Sequence, residues 1–277
     1  MGTHRMSREA DRVTAFHRLH ESGCFVSPNP WDVGSARMLA GLGFKAVATT
    51  SSGFASTLGR SDNHVTLDEA LAHVRALAAS VDIPVSADFE GGFAIEPDAV
   101  AANVARAAST GIAGLSIEDS TGDAASPLFD FPLAVERIRA ARRAIDASGT
   151  RILLTGRSEG FISGRPDLRE TIRRLIAYAD AGADCLFAPG IRSVPDITTL
   201  VTAVAPRPVN VLAGSDFATV AELAAAGVRR ISVGGALARA AWTAVLQAAT
   251  EISERGTFTS LGRAVPFADI NALFGRE

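Results

Sequence analysis

Two carboxylates two residues apart, Asp88 and Glu90, end the stretch SADFEGGF (86–93), which follows the apolar lead-in VDIPV. Residues i and i+2 of a strand point to the same side, so both acids are expected on one face. Two like charges that close are unfavourable unless something positive sits between them. Other chemistry-bearing residues fall at similar places: Thr49, Thr50, Ser51, Ser52 and Gly53, then Glu118 with Asp119, Arg157 with Glu159, and Asn210. Four or five carboxylates converging with Arg157 need more positive charge than one guanidinium supplies. A hard divalent cation with oxygen ligands meets that need, Mg2+ being the common partner of a few carboxylates and several waters. Salt bridges and helix N-caps are the alternative for each acid taken singly.

The spacing sorts some of these groups further. Ser116 and Glu118 share one strand face, which makes Glu118 the better inward ligand, whereas Asp119 faces the other way and is expected to cap the following turn. Arg157 and Glu159 share a face by the same rule. An arginine there can fork onto a carboxylate or phosphonate; structural pairing with Glu118 or Glu159 is the alternative and does not exclude a catalytic role. The segment Thr50–Gly53 offers backbone N–H groups and hydroxyls suited to cradling a small anion, or is simply a polar loop. Gly234 and Gly235 read as turn geometry.

These residues need elements to bring them together. Short apolar runs recur at 24–29, 46–52, 84–90, 114–119, 151–159, 185–190, 208–214 and 230–235, separated by Ala-, Leu- and Arg-rich stretches of helical periodicity. Several helices end in glycine just before the next run, in AGLGF, STGIAG, DAGAD and AAGVRR, as helix termini commonly do. Strand–helix alternation argues for a parallel sheet, and eight units fit a (β/α)8 barrel. A doubly wound open sheet is the rival. The polar or glycine C-terminal ends of nearly every run favour the barrel, whose active sites collect at that end. No linker breaks the chain, so residues 1–277 are expected to form a single (β/α)8 domain, an α/β TIM barrel with a C-terminal helical extension from about 237 to 277.

Composition narrows the chemistry. The 277 residues are 47% hydrophobic with a net charge of −3, which gives no electrostatic case for nucleic acid or an anionic membrane. No apolar run approaches the roughly 20 residues of a membrane span, and MGTHRMSREADR lacks the apolar core of a secretory signal, so a soluble cytoplasmic protein is expected. Cys24 and Cys185 show no zinc or disulfide spacing. Lys45, the only lysine, precedes the second run and belongs at the far end of a barrel, which disfavours a Schiff-base mechanism. None of the five histidines falls on a strand end. His64 lies in a loop that could approach the site, and Cys185, opening its run, reads as core.

Taken together, NPWDVGSARMLAGLGFKAVATTSSGFASTLGRSD, SADFEGGF, GIAGLSIED, LLTGRSEGF, AYADAGADCLF and PVNVL resemble, in order and spacing, the isocitrate lyase/phosphoenolpyruvate mutase superfamily over nearly the whole chain. The resemblance implies a (β/α)8 barrel that uses Mg2+ (or Mn2+) to bind a 2-oxo acid or its enolate, and makes or breaks a C–C or P–C bond. By position, Asp88 matches the principal metal carboxylate, Glu90 a second acid holding a metal-bound water, and Glu118 the outer-shell acid of the "IED" motif. Arg157 matches the arginine that contacts substrate or leaving group. Thr50, Ser51 and Ser52 match the loop that binds the 2-oxo-acid carboxylate, and Asp62 an aspartate near the reacting centre. The resemblance also implies a homo-oligomer, a tetramer or dimer. FADINALF is apolar enough to pack on a partner or on its own barrel.

The departures from the family pattern define the expected subclass. Isocitrate and methylisocitrate lyases carry Lys-Cys-Gly-His after the fourth strand, and the mutases a lysine- and asparagine-bearing gate; here the segment reads EDSTGDAASPLFDF. The aromatic residue usual before the second-strand loop is missing, and the place of a common sixth-strand glutamate reads Ala188-Pro189-Gly190. The expected activity is therefore a Mg2+-dependent lyase or decarboxylase on a small 2-oxo or 2-hydroxy acid, acting through a pyruvate-type enolate. Asp62, Glu159, a Ser/Thr hydroxyl and metal-bound water remain open as proton carriers. The alternatives are phosphoenolpyruvate mutase or phosphonopyruvate hydrolase chemistry on a phosphonate, and a non-catalytic 2-oxo-acid binder.

Overall fold

The structure, a computed structural model, describes residues 2–274; residue 1 and residues 275–277 of the expected single domain and its extension lie outside the described residues. Eight parallel strands form the sheet: β1 (Phe25–Val26), β2 (Val47–Ala48), β3 (Val85–Asp88), β4 (Gly114–Glu118), β5 (Leu153–Arg157), β6 (Cys185–Phe187), β7 (Val209–Leu212) and β8 (Arg230–Ser232). Their neighbour order is β1-β8-β7-β6-β5-β4-β3-β2. The seam between β1 and β2 is closed just past the strand ends, where Ala48 N donates to Pro28 O at 3.1 Å and Asn29 Nδ2 to Thr49 O at 2.9 Å. The sheet is thus a (β/α)8 barrel and not the open, doubly wound rival.

Register decides which side chains meet. Asp88 pairs with Ser116, Glu118 with Arg157, Phe187 with Asn210, and Asn210 with Arg230. With the two-residue period of a strand, the inward set includes Ser86, Asp88, Ser116, Glu118, Leu153, Thr155, Arg157, Cys185, Phe187, Asn210, Leu212, Arg230 and Ser232. The outward set is Val85, Ala87, Leu115, Ile117, Leu154, Leu186, Val209, Val211 and Ile231, all buried against the helices. Bulky branched residues usually fill a barrel of this kind; here its interior is mostly polar.

The surrounding helices form where capping signals allow them. They are α1 (Gly2–Glu21), α2 (Val33–Gly41), α3 (Ser51–Thr57), α4 (Leu67–Ser80), α5 (Pro97–Ala108), α6 (Phe131–Ser148), α7 (Leu168–Asp180), α8 (Val194–Val204), α9 (Val220–Ala225), α10 (Ala236–Arg255) and α11 (Phe267–Phe274). Capping boxes start α2 (Asp32 with Ser35), α4 (Thr66 with Glu69) and α9 (Thr219 with Glu222), and proline opens α5, α6 and α8. The glycine expected after α7 is required: Gly182 has φ +107°, and a Cβ there would lie 2.5 Å from Arg142 Cγ. Helix α1 covers the N-terminal end of the barrel, with Phe16 fully buried and His17 Nε2 2.9 Å from Arg151 O.

Helix α10 follows β8 directly and takes the eighth helix's place in chain order, so the residues after Arg255 are what the chain adds beyond eight units. Its only buried side chains are Ala238 and Glu251. Helix α11 lies against α2, yet Phe267 remains 81% exposed. Among the described residues, no helix is long and apolar enough to cross a membrane, and both cysteines are free.

Candidate active site

The C-terminal ends of the strands enclose a cavity of about 180 Å³, below the roughly 300–1,000 Å³ of sites for drug-sized ligands. A molecule of a few carbons is the scale it suits. Thr50, Ser51, Ser52, Asp62, Asp88, Arg157 and Asn210 of the expected site line it, together with Asn29, Ser86, Ser116, Phe187, Arg230 and Ser232.

Arg157 is the hub. Its Nη1 lies 3.1 Å from both Asp88 Oδ1 and Glu118 Oε2, its Nε donates to Glu159 Oε1, and its guanidinium carbon stands 5.3 Å over the Phe187 ring. The Glu118 contact follows from their pairing on adjacent strands. Burial works against the charge of Arg157, but Glu118, Glu159 and Asp88 outweigh it and hold the guanidinium firmly protonated. For Glu118, burial raises the carboxyl well above its usual range; Arg157 opposes this, while Glu159, Asp88 and Glu90 reinforce it. Glu159 is raised chiefly by burial, with Arg157 pulling it down.

Asp88 is also held from the second strand: Ser51 N donates to its Oδ2 at 3.0 Å, and its own N–H donates to Thr49 Oγ1 at 2.9 Å. The Thr50–Gly53 segment is not a loop but the start of α3. Thr50 Oγ1 caps it by accepting from Gly53 N at 3.3 Å and lies 3.1 Å from Ser52 Oγ. Gly53 does not line the cavity; a Cβ there would lie 2.6 Å from Thr50 Cγ2 and 3.0 Å from Trp31 Cβ, so its role is close packing. Gly235 also lets the cradle close, since a Cβ on it would lie 2.8 Å from Ser52 Oγ.

Glu90 departs from the expected geometry. Strand β3 ends at Asp88, and Glu90 sits in the following turn with φ +48°, so the two acids do not share a strand face. Glu90 still feels the site: burial first, then the charges of Asp88 and Asp62, raise its carboxyl to about 7. With Glu118 it lines a second cavity, whose other walls include Gly91, Ser120 and Arg137, and neither acid lines the first. The glycines of SADFEGGF serve this loop. Arg137 from α6, itself buried, donates to the carbonyls of Gly91, Ala94 and Ile95, and a Cβ on Gly91 would lie 3.0 Å from Arg137 Nη2.

Asp119 likewise does something other than cap its turn. Its Oδ1 accepts from Glu159 N at 2.7 Å, and its Oδ2 accepts from Tyr178 Oη at 2.6 Å and Arg174 Nη1 at 3.2 Å. This buried node ties the ends of β4 and β5 to α7 and so fixes the backbone that carries Arg157 and Glu159. Asp62 is exposed at the rim, with its side chain accepting from Asn63 N at 3.1 Å. Asn210 sits deep in the cavity, donating to Ser232 Oγ at 2.9 Å and accepting from Arg230 Nε at 3.0 Å. Arg230 and Ser232 are the members that strand-end reasoning passed over; inward alternation along RIS is the signal that finds them.

The donor set fits a hard cation that keeps most of its water. Asp88, Glu90, Glu118 and Glu159 outnumber the one guanidinium among them, and burial first, then the neighbouring acids, raises the carboxyls of Glu90 and Glu118. No three His, Cys, Asp or Glu side chains among the described residues form a ready ligand cluster. Asp88, with Glu90 and Glu118 beside it, offers the oxygen donors that could hold a hard cation, which commonly takes one or two carboxylates and several waters.

Comparison with known proteins places the geometry in context. The phosphoenolpyruvate phosphomutase family profile matches residues 16–253. An uncharacterized protein of Mycobacterium tuberculosis is 36% identical over 260 residues, covering 93% of this chain and 95% of its own. A solved Burkholderia cenocepacia protein, described as a lyase/mutase, is 48% identical with a TM-score of 0.94, covering 97% of each chain. A solved oxaloacetate acetylhydrolase with bound oxalate is 26% identical with a TM-score of 0.84, covering 96% of this chain and 95% of its own.

Proposed function

The chain belongs to the phosphoenolpyruvate mutase/isocitrate lyase superfamily, and on that footing we propose that it is a Mg2+-dependent carbon–carbon lyase (Mn2+ substituting) acting on a small 2-oxo or 2-hydroxy carboxylic acid. The observation that carries the reading is the Arg157 hub, a buried guanidinium held by Asp88, Glu118 and Glu159 against a cavity sized for a few carbons. The metal would be held by Asp88, with Glu90 and Glu118 around it, and supplies Lewis-acid stabilisation of a developing enolate.

The chain's own residues do the rest. Ser51, Ser52 and Thr50 edge the cavity where the acid's carboxylate would sit. Arg157 is fixed before substrate arrives, so its charge is already in place when negative charge develops on the 2-oxo oxygen; such preorganisation is a large part of catalysis of this kind. Glu118 and Glu159 hold Arg157, and Glu159 is aligned by Asp119 through its backbone N–H. Asp62 stands at the rim as the acid nearest solvent.

The segment from Asp119 to Phe131 contains no lysine, cysteine or histidine, which argues against the isocitrate lyase acid/base and the mutase gate. The family profile's own description keeps P–C chemistry on phosphonopyruvate as the second reading. The same proposal makes the protein a cytoplasmic homo-oligomer, dimer or tetramer, supported by the exposed Trp242 and Leu246 of α10 and Phe267 of α11. The direct test is Asp88→Ala. Turnover should vanish with circular dichroism and melting behaviour retained; unchanged turnover would refute the metal assignment.

A further inference from the structure

Arg230 is the second guanidinium inside the barrel, and unlike Arg157 it has no carboxylate partner among the described residues. It lies on the inward face of β8, 4% exposed. Its Nε donates to Asn210 Oδ1 at 3.0 Å and its Nη2 to Thr155 Oγ1 at 3.1 Å, and its Nη1 is 3.4 Å from His20 Nε2. His20 Nδ1 is 2.8 Å from Phe16 O, which can only accept, so Nδ1 carries the ring proton and Nε2 accepts from Arg230. Burial, reinforced by the charge of Arg230, lowers His20 to about 3, which keeps the ring neutral. All three partners are therefore uncharged. Of the five N–H donors of a guanidinium three are used, leaving one on each terminal nitrogen.

A buried cation with only neutral partners carries a desolvation cost that a counter-anion would relieve. Arg230 borders the same cavity as Asp88 and Arg157. Next to it, Ser232 Oγ accepts from Asn210 Nδ2, so its own hydroxyl proton is left to donate, and Ser116 lines the same wall. The cavity is thus polarised: beside Asp62 and Asp88 an anion meets other acids, whereas beside Arg230 it meets a positive charge and hydroxyl donors.

We infer that Arg230 forms a subsite for a second, distal anionic group of the substrate, and so selects molecules with two acid groups over those with one. The inference rests on the reading of the mouth as a 2-oxo- or 2-hydroxy-acid site. The distal group can be a carboxylate or a phosphonate, since a guanidinium fork suits both.

The test compares ligand pairs that share a head group, by titration calorimetry with Mg2+ present: malate against lactate for the carboxylate, phosphonopyruvate against pyruvate for the phosphonate. At least one two-acid ligand should bind tenfold or more tightly than its one-acid counterpart. Arg230→Gln should erase that ratio while leaving the one-acid affinity within about twofold, and Arg230→Lys should restore part of it. The pair that shows the ratio identifies the distal group. Ratios near one in the wild type, or equal weakening of both members of a pair by Arg230→Gln, would overturn the inference while the proposed function stands. Binding of none of the four ligands would overturn both. Should Arg230→Gln not fold, Arg230→Lys decides alone: a ratio reduced severalfold supports the subsite, and an unchanged ratio rejects it.

Discussion

Replacing Arg157 with glutamine should expose the charge imbalance of the barrel mouth directly. The guanidinium is only 16% exposed, and the carboxylates it meets are 17% (Asp88), 10% (Glu118) and 5% (Glu159) exposed, so screening by water is weak. At 3.1 Å, each of the Asp88 and Glu118 contacts corresponds to about 5 kcal/mol of gross attraction at an effective dielectric of about 20. Repulsion among the three acids and their desolvation return much of this. Removing one partner of a buried pair typically costs about 3–5 kcal/mol, and that is the expected loss of stability near pH 7.5 without added metal.

Two features separate this cause from a packing defect. Glu118 and Glu159 already have raised carboxyls with Arg157 present, and removing the cation raises them further. A carboxyl whose folded value lies above its unfolded value favours the fold at low pH and loses that contribution as pH rises through the folded value. The deficit of Arg157→Gln should therefore shrink as pH falls from 7.5 to 5. It should also shrink with millimolar Mg2+ more than the wild type gains from the same ion. Urea melts with and without Mg2+ at the two pH values measure both. A deficit that is the same at both pH values and indifferent to Mg2+ would show that the carboxylate cluster is not what Arg157 balances.

Other perturbations follow from the same contacts. Asp119→Ala removes the acceptor shared by Glu159 N, Tyr178 Oη and Arg174 Nη1; a loss of about 3–5 kcal/mol is expected in denaturant melts, and a loss under 1 kcal/mol would refute the node. His20 is held neutral by burial, at about 3 against an ordinary 6.5. Its lowered value means the unfolded chain binds the extra proton first, so its contribution is full above pH 6.5 and is lost as pH falls toward 3. The stability difference between wild type and His20→Gln should change between pH 6.5 and 4 by up to about 1.4 kcal/mol per pH unit; parallel pH curves would contradict this.

Much of the frame was legible because strand ends and helix stops are written locally. The eight apolar runs locate all eight strands, and the glycines of STGIAG and DAGAD take the left-handed conformations their positions required, at Gly111 and Gly182. Asp88, Glu118 and Arg157 converge as expected because each ends a strand on its inward face. What was not legible depended on where each strand stops. Two more residues of strand beyond Asp88 would have kept Glu90 on the same face; the turn at φ +48° removes it. Strand β2 ends two residues before Thr50, which turns the expected Ser/Thr loop into a helix start. Asp119 was assigned to its own turn because its partners Arg174 and Tyr178 lie on a helix some 55 residues further along. Arg230 is not a strand C-terminus but opens β8, and its long side chain reaches the same cavity from there.

The central claim is that this mouth breaks a C–C bond in a small 2-oxo or 2-hydroxy acid with Mg2+. Incubating the purified protein with a panel of such acids and phosphonopyruvate, with Mg2+ and with EDTA, while reading pyruvate, CO2 and phosphate, tests it most directly. The account predicts EDTA-sensitive release of pyruvate or CO2 from at least one carbon acid, without phosphate release or phosphoenolpyruvate formation from phosphonopyruvate. Turnover of phosphonopyruvate alone, metal-independent turnover, or saturable binding with no turnover across the panel would contradict it.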